Sequence, residues 1–156
     1  MARIEHFNDP TAPTANSIVV AVTAFVRNDQ DQVLLIRRTD NELWALPGGG
    51  QDFGEYIAET VVRETREEAG VTVKVTGIVG VYTNPNHVVE YSNGEVRQQF
   101  SICFRAEYVS GELTPSDESS DVRWVSRADL DALPIHPSMR LRIDHGYGMR
   151  ADPYVG

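Results

Sequence analysis

A run of glycines followed by a glutamate-rich segment, between residues 47 and 71, is the feature that most constrains the fold of this chain. Pro47 precedes three successive glycines, and such a stretch neither continues a strand nor begins a helix comfortably, so we expect a specialised loop. From Glu55 to Ala69 the apolar positions recur at steps of three and four residues, and Gly70 supplies a stop signal. The pattern predicts one amphipathic helix directly after the loop.

Three carboxylates of this helix, Glu64, Glu67 and Glu68, fall broadly opposite its apolar side. Their spacing brings like charges together, at a cost of about 0.2–0.5 kcal/mol per pair on an exposed helix. A hard divalent cation would reverse that cost, because clustered oxygen ligands suit Mg²⁺ or Mn²⁺. Taken alone, a solvated acidic face in which Arg63 pairs with Glu59 or Glu67 is the better explanation. The preceding loop favours a metal site, because its backbone groups can complete a site for metal and phosphate.

The segment from residue 49 to residue 71 resembles the Nudix box, whose pattern is G-x5-E-x7-R-E-U-x-E-E-x-G-U with U a bulky aliphatic residue. Eight of the nine specified positions match, and Thr65 is the departure. Thr65 is β-branched and can still pack on the core side, so every acidic position is untouched. The matching residues are Gly49, Glu55, Arg63, Glu64, Glu67, Glu68, Gly70 and Val71.

The resemblance covers most of residues 17–145 and implies an α/β fold, the Nudix-type α/β/α sandwich with a central mixed sheet. We expect residues 17–145 to form this Nudix hydrolase domain, residues 1–16 a flexible N-terminal extension, and residues 146–156 a C-terminal tail with little to bury. Runs of β-branched and aromatic residues predict strands over 18–26, 33–36, 71–82, 97–108 and 122–125. Short helices are expected over 127–133 and 138–145.

The resemblance also implies an activity, the divalent-metal-dependent hydrolysis of a nucleoside diphosphate linked to another moiety. The pyrophosphate bond would be cleaved by water attack at phosphorus, and the candidate substrates are an ADP-ribose-like compound or a nucleoside triphosphate. Arg63 would orient the carboxylates, and Glu55 would brace the loop against the helix. The implied ligands of Mg²⁺ or Mn²⁺ are Glu64, Glu67, Glu68 and the carbonyl of Gly48.

A further ligand or general base often comes from a later loop in this family. Glu118 is the first candidate here and Asp117 the second, although both read nearly as well as solvent-facing turn residues. The alternative to an enzyme is a non-catalytic Nudix-fold sensor that binds a nucleotide without cleaving it. Retention of all three helix glutamates favours the enzyme, because loss of cation ligands is the easiest route to an inactive relative.

Basic and aromatic side chains outside the box are candidates for substrate contact. Arginines can contact phosphate, and aromatic rings can stack on a base, although surface solubility and core packing are the ordinary explanations. The three histidines His87, His136 and His145 lack metal-type spacing and read as structural. The substrate-binding candidates are Arg37, Arg38, Trp44, Tyr82 and Arg97, with Tyr91 and Phe100 as further candidates for stacking.

Composition limits the partners of the chain. Its 156 residues suit one domain, and 14 basic against 23 acidic residues give a net charge of −9, which would repel a long nucleic acid. No apolar stretch is long enough for a membrane helix, residues 1–16 do not resemble a secretory signal, and the single Cys103 reads as a buried strand thiol. We therefore expect a cytoplasmic protein whose partner is a small-molecule nucleotide, with a homodimer left open.

Overall fold

The computed structural model describes residues 3–156 as ten strands, two α-helices and a 3₁₀-helix over Arg127–Ala132. Long strands form where β-branched residues are dense, and helices form where the period changes to 3.6 residues. In chain order the strands and helices are β1 (Arg3–Phe7), β2 (Ser17–Arg27), β3 (Val33–Arg38), β4 (Trp44–Ala45), β5 (Gly48–Gly50), α1 (Ile57–Ala69), β6 (Thr72–Tyr82), β7 (His87–Tyr91), β8 (Val96–Ser110), β9 (Ser119–Val125), α2 (Pro137–Gly148) and β10 (Tyr154–Val155).

The strands form one curled mixed sheet. Its main path runs β1, β7, β8, β2, β3, β4, while β6 also pairs with β8, β5 with β2, and β9 with β3. Strands β2 and β8 are parallel from Ser17 opposite Arg97 to Arg27 opposite Glu107, and most of the other pairs are antiparallel. The long parallel pair is the centre of the sheet, and it positions the residues that line the site.

The two α-helices pack on separate core clusters. Val61 and Ala69 of α1 belong to a cluster with Phe104 of β8, whereas Ile143 of α2 belongs to a second cluster with Cys103 of the same strand. Because successive side chains of a strand point to opposite faces, Cys103 and Phe104 place the two helices on opposite sides of the sheet. The predicted α/β/α sandwich is confirmed.

Helix α1 has well-defined ends. The backbone N–H of Tyr56 donates to the Glu59 carboxylate at 3.0 Å, and Gly70, with φ of 80°, donates its N–H to the carbonyl of Arg66 at 2.9 Å. Thr65 is fully buried, and its hydroxyl donates to the carbonyl of Val61 at 2.7 Å. The one departure from the box is therefore accommodated within the helix.

The glycine run differs from the expected loop, because Gly48–Gly50 is strand β5. It pairs antiparallel with residues 21–23 of β2, and a Cβ on Gly48 would lie 2.0 Å from the carbonyl oxygen of Val22. Only a residue without a side chain allows the two backbones to approach so closely. The glycines bring α1 and β2 together rather than form an irregular loop.

Both ends of the chain contribute more to the fold than we expected. Within the expected N-terminal extension, Arg3–Phe7 is hydrogen-bonded antiparallel to His87–Tyr91. Within the expected tail, Gly146 is buried so close to Phe25 that an added Cβ would lie 2.6 Å from its ring, and Tyr154–Val155 pairs with β6. Among residues 3–156, no helix is long and apolar enough to cross a membrane.

Candidate active site

A cleft of about 520 Å³ lies over the centre of the sheet. At one end it is lined by β5 and by the carboxylates of α1, and the loop before β9 contributes Ser116, Asp117 and Glu118. Its floor consists of residues of β2 and β8, and the opposite wall comes from β1 and α2. The cleft thus joins segments that are far apart in the sequence, with the Nudix box at one end only.

Arg63 is the centre of an ion-pair network at the acidic end. Its guanidinium makes two hydrogen bonds with Glu55, at 2.6 and 3.0 Å, and also donates to Glu64 at 3.0 Å and Glu67 at 3.2 Å. A further bond at 3.1 Å reaches the carbonyl of Gly50. The hydrogen bonds from Arg63 lower the pKa of Glu55 to about 2, so this carboxylate stays ionised while it links helix and strand.

Glu64 and Glu68 are the most enclosed carboxylates of the cleft. Glu68 is 3% exposed, and burial raises its pKa to about 8 although the N–H of Gly48 donates to it at 3.1 Å. Burial also raises the pKa of Glu64, with the nearby charges of Glu67 and Glu118 adding to the effect. Crowded carboxylates that are reluctant to ionise gain free energy from a cation between them.

A glycine is required at position 49 for a steric reason. An added Cβ at this position would lie 2.5 Å from the carboxyl carbon of Glu64, so any other residue would displace the carboxylate. Ser119 fixes the other side of the helix end, because its hydroxyl donates to the carbonyl of Glu68 at 2.5 Å. The backbone around both glutamates is therefore held from two directions.

The loop that carries Glu118 reaches the acidic end. Glu118 and Asp117 are exposed at the edge of the cleft, and the negative charge of Glu118 contributes to the raised pKa values of Glu64 and Glu68. Backbone bonds hold the loop, since the N–H of Thr39 donates to the carbonyl of Glu118 at 3.1 Å. A fourth carboxylate is thus positioned beside the helix glutamates.

The three candidate arginines lie in different settings. Arg38 lines the cleft and makes two hydrogen bonds with Asp40, at 2.9 and 2.7 Å. Arg97 also lines the cleft, with its guanidinium 4.7 Å from the centre of the Tyr91 ring. The structure places Arg37 outside the lining, where its Nε donates to the carbonyl of Glu42 at 3.4 Å.

Two of the candidate stacking residues are core residues. Trp44 is 4% exposed and packs in the second core cluster, with the guanidinium of Arg123 4.9 Å from its ring centre. Tyr82 is 6% exposed in the same cluster. Among the aromatic candidates, Tyr91 lines the cleft and Phe100 does not. Burial removes the open ring face that stacking on a base requires.

Several residues of the opposite wall and floor were not among the candidates, including Arg3, Glu5, Ser101 and Arg142. Arg142 belongs to the buried face of α2 together with Ser138 and Ile143. Helical spacing alone does not show that an arginine lies on the buried face of a helix, because an arginine at the same position is equally well explained as an exposed charge. The buried face of α2 could be identified from the sequence only if the part of the protein that packs against it were known.

Two histidines next to this wall, His87 and His136, form a cluster with Glu5. His87 hydrogen-bonds Glu5 at 2.6 Å, and Nε2 of His136 lies 3.8 Å from the same carboxylate. Burial alone would raise the pKa of Glu5, but His87, His136 and Arg3 together lower it to about 2. Nδ1 of His136 accepts the N–H of Ser138 at 3.2 Å. These contacts attach strand β1 to β7 and to the start of α2.

Comparison with known proteins gives the same assignment as the geometry. The NUDIX domain family model matches residues 18–145. An ADP-ribose pyrophosphatase of Methanocaldococcus jannaschii is 36% identical over 129 residues, which cover 81% of this chain and 68% of the relative. The nucleoside triphosphatase NudI of an Enterobacter species is 32% identical over 101 residues, covering 63% and 72%.

Solved structures agree in fold. A NUDIX hydrolase from Nitrosomonas europaea superposes with a TM-score of 0.72 at 21% identity, over 90% of this chain and 78% of that one. The family match includes α1, most of α2 and the central strands, together with the box residues around Arg63. The chain therefore belongs to the Nudix family, and it is a Nudix pyrophosphohydrolase.

Proposed function

We propose that this chain hydrolyses the pyrophosphate bond of a nucleoside diphosphate linked to another moiety, with Mg²⁺ or Mn²⁺ as cofactor. The observation that carries the proposal is the placement of Glu64, Glu67 and Glu68 beside β5 at one end of a cleft large enough for a nucleotide. The opposite end offers arginine and neutral polar side chains, together with the carboxylate of Glu5. This division suits a ligand whose diphosphate lies at one end and whose other groups extend along the floor.

The donor set at the acidic end fits a hard divalent cation. Glu68 and Glu64 are enclosed carboxylates with raised pKa values, and oxygen is the ligand atom that Mg²⁺ and Mn²⁺ prefer. We assign Glu64, Glu67, Glu68 and the backbone carbonyl of Gly48 as the groups that would hold it. A bound cation supplies positive charge opposite the diphosphate and lowers the pKa of the attacking water.

The protein groups have separate tasks in this proposal. Arg63 orients the ligands, because one guanidinium contacts Glu55, Glu64 and Glu67 together. Glu118 accepts the proton of the attacking water, since it is an exposed carboxylate at the edge of the same end of the cleft. Arg38 contacts a phosphate oxygen from its position in the cleft wall.

The substrate is a small nucleotide. We take an ADP-ribose-like compound as the first substrate to test, because the Methanocaldococcus jannaschii relative is named an ADP-ribose pyrophosphatase. Nucleoside triphosphates come second, because the Enterobacter relative is named a nucleoside triphosphatase. The net charge of −9 argues against long nucleic acids as partners.

A panel of ADP-ribose, nucleoside triphosphates and dinucleoside polyphosphates, assayed with Mg²⁺ and with Mn²⁺, tests the proposal. Hydrolysis in ¹⁸O-labelled water should place the label in one phosphate-containing product, which identifies the phosphorus that is attacked. A phosphoryl-protein adduct, or label in no phosphate, would contradict direct water attack. Tight metal-dependent binding without hydrolysis of any compound would favour a sensor instead.

The role of Glu118 has its own test. In Glu118→Gln we expect kcat to fall by about tenfold to a thousandfold while KM changes little, because a proton acceptor acts in the transition state. Glu107→Gln is the matched control, since Glu107 is an exposed glutamate of β8 outside the cleft. Wild-type turnover in Glu118→Gln would return the residue to an ordinary surface turn and direct attention to Asp117.

A further inference from the structure

Among residues 3–156, three hydrogen-bond donors in the lining of the cleft have no partner. They are the Oγ1 atom of Thr23, the Oγ atom of Ser101 and the Nε atom of Arg142, and each is buried without a hydrogen bond. An unsatisfied buried polar atom costs about 1–3 kcal/mol, and native proteins contain few of them. An unpaired donor in the wall of a substrate cleft therefore points to an acceptor that arrives with the ligand.

Arg142 is the most unusual of the three. Its side chain is 2% exposed, and its guanidinium carbon lies 4.5 Å from the centre of the Tyr82 ring. One amino group donates to the carbonyl of Ser138 at 2.8 Å. Among residues 3–156, no ion pair joins Arg142 to a carboxylate. A buried arginine is ordinarily paired, so this charge lacks the oxygen acceptors that would compensate its burial.

The strand register places Ser101 beside Tyr82, the residue that Arg142 contacts, and it gives the distance of Ser101 from the acidic end of the cleft. Gly50 is opposite Ala21, Ala21 is opposite Ser101, and Ser101 is opposite Tyr82, so these residues form one line across four strands. Neighbouring strands are about 4.8 Å apart, which places Ser101 about 10 Å from Gly50. Tyr82, whose ring lies under Arg142, is the next residue on that line.

We propose that Arg142 and Ser101 form a subsite for an oxygen acceptor of the substrate that lies outside its diphosphate. This inference rests on the proposed function, which places the diphosphate beside β5. At about 10 Å from that position, the subsite faces the nucleoside or the moiety linked to it. Arginine can only donate, so the bound group is an acceptor such as a ring carbonyl of the base or a further phosphate.

Ser101→Ala separates a binding role from a structural one. Because the hydroxyl has no partner, its removal should leave the melting temperature unchanged or raise it, while KM rises about threefold to tenfold at constant kcat. Ser17→Ala is the matched control, since the Ser17 hydroxyl donates to Glu95 at 2.7 Å outside the cleft. That control should lower the melting temperature and leave KM unchanged. An unchanged KM in Ser101→Ala would overturn the inference.

Arg142→Met identifies the bound group through two matched substrate pairs. One pair exchanges adenine for hypoxanthine, which replaces an amino group with a carbonyl, and the other adds a phosphate to the 2′-hydroxyl of the nucleoside. We expect wild type to prefer the richer acceptor in one pair by about tenfold or more, and Arg142→Met to lose that preference. A preference below twofold in both pairs would refute the subsite.

The same variants can be compared by ligand binding, without an assay of turnover. Each nucleotide should raise the melting temperature of wild type more than that of Ser101→Ala, because binding to the folded state alone stabilises it. Binding that depends on Ser101 in a chain that hydrolyses nothing would support the subsite and contradict the proposed hydrolysis. Hydrolysis with equal ligand-induced shifts in wild type and Ser101→Ala would support the proposed function and contradict the subsite.

Discussion

Helix α1 has an arginine that contacts carboxylates of the cleft, helix α2 has an arginine that lines the cleft, and these two arginines have opposite surroundings. Arg63 of α1 pairs with the four carboxylates of Asp52, Glu55, Glu64 and Glu67, and hydrogen bonds and charges of Glu55 and Glu64 raise its pKa. Arg142 of α2 is buried against Tyr82 without a carboxylate partner in the described residues, and burial lowers its pKa. One charge is compensated within the protein, and the other is compensated only by what enters the cleft.

This difference distinguishes a group that organises a site from a group that is free to receive a ligand. The hydrogen bonds of Arg63 go to other residues of the site, so its contribution is to hold Glu55, Glu64 and Glu67 in place. Arg142 retains an unused donor. We therefore expect changes at the α1 end to affect cation binding and turnover, and changes at the α2 end to affect the choice of substrate.

The largest expected effect is the loss of cation ligands. Glu67→Gln and Glu68→Gln should each lower turnover by about a hundredfold or more and greatly weaken divalent binding in calorimetry, because a neutral amide is a poor substitute for a carboxylate ligand. Both variants should remain folded, and Glu107→Gln serves again as the exposed control. Unchanged Mg²⁺ and Mn²⁺ binding in both variants would remove the metal site from the α1 end.

A smaller effect is expected when the arginine of the network is removed. Arg63→Met should lower the free energy of unfolding by more than the matched control does, because it leaves Glu55 and Glu64 without their cation. Arg140→Met is the matched control, since Arg140 pairs with the exposed Asp131 and Asp144 and should cost about 1 kcal/mol or less. Denaturant unfolding measures both, and equal losses would mean that Arg63 forms only a surface ion pair.

The smallest expected effect is a pH dependence that originates at Glu68. Its folded pKa of about 8 exceeds the ordinary carboxyl value of 4.5, so between those values the folded chain binds the extra proton. Stability without metal should therefore fall as pH rises from about 5 to about 8. Added Mg²⁺ should reverse the trend, because it favours the ionised carboxylate.

Glu68→Gln isolates that contribution. Burial lowers the pKa of His136, which makes stability rise with pH near the ordinary histidine value and opposes the trend from Glu68. The difference between wild type and Glu68→Gln removes the contribution that the two proteins share. Melting temperatures that change with pH in the same way in both proteins would mean that Glu68 is ionised in the metal-free protein.

The acidic end could be predicted from the sequence because its residues lie within one helix and the segment before it. The spacing of Glu64, Glu67 and Glu68 places them on one face of any helix, and this holds before the tertiary structure is known. Gly48–Gly50 shows the limit of such reasoning. The glycines were correctly identified as special, but their pairing with β2 depends on a strand more than twenty residues earlier in the chain.

The wall opposite α1 could not be predicted for the same reason. Ser101 lies in the cleft because of its register with β2 and β6, and Arg142 lies there because α2 packs on the second core cluster. Trp44 shows the reverse case, since it was a candidate for stacking with core packing as the ordinary explanation, and its ring is buried in the second core cluster. Non-local packing decides these cases, and no local pattern encodes it.

Strand β1 has a practical consequence for anyone who shortens this chain. The family match begins at residue 18, so a fragment designed on that boundary would omit Arg3 and Glu5, which line the cleft. It would also remove the partner strand of His87–Tyr91 and leave His87 without its 2.6 Å contact to Glu5. Substrate preferences measured on such a fragment would describe an altered cleft, even if its acidic residues and its turnover were intact.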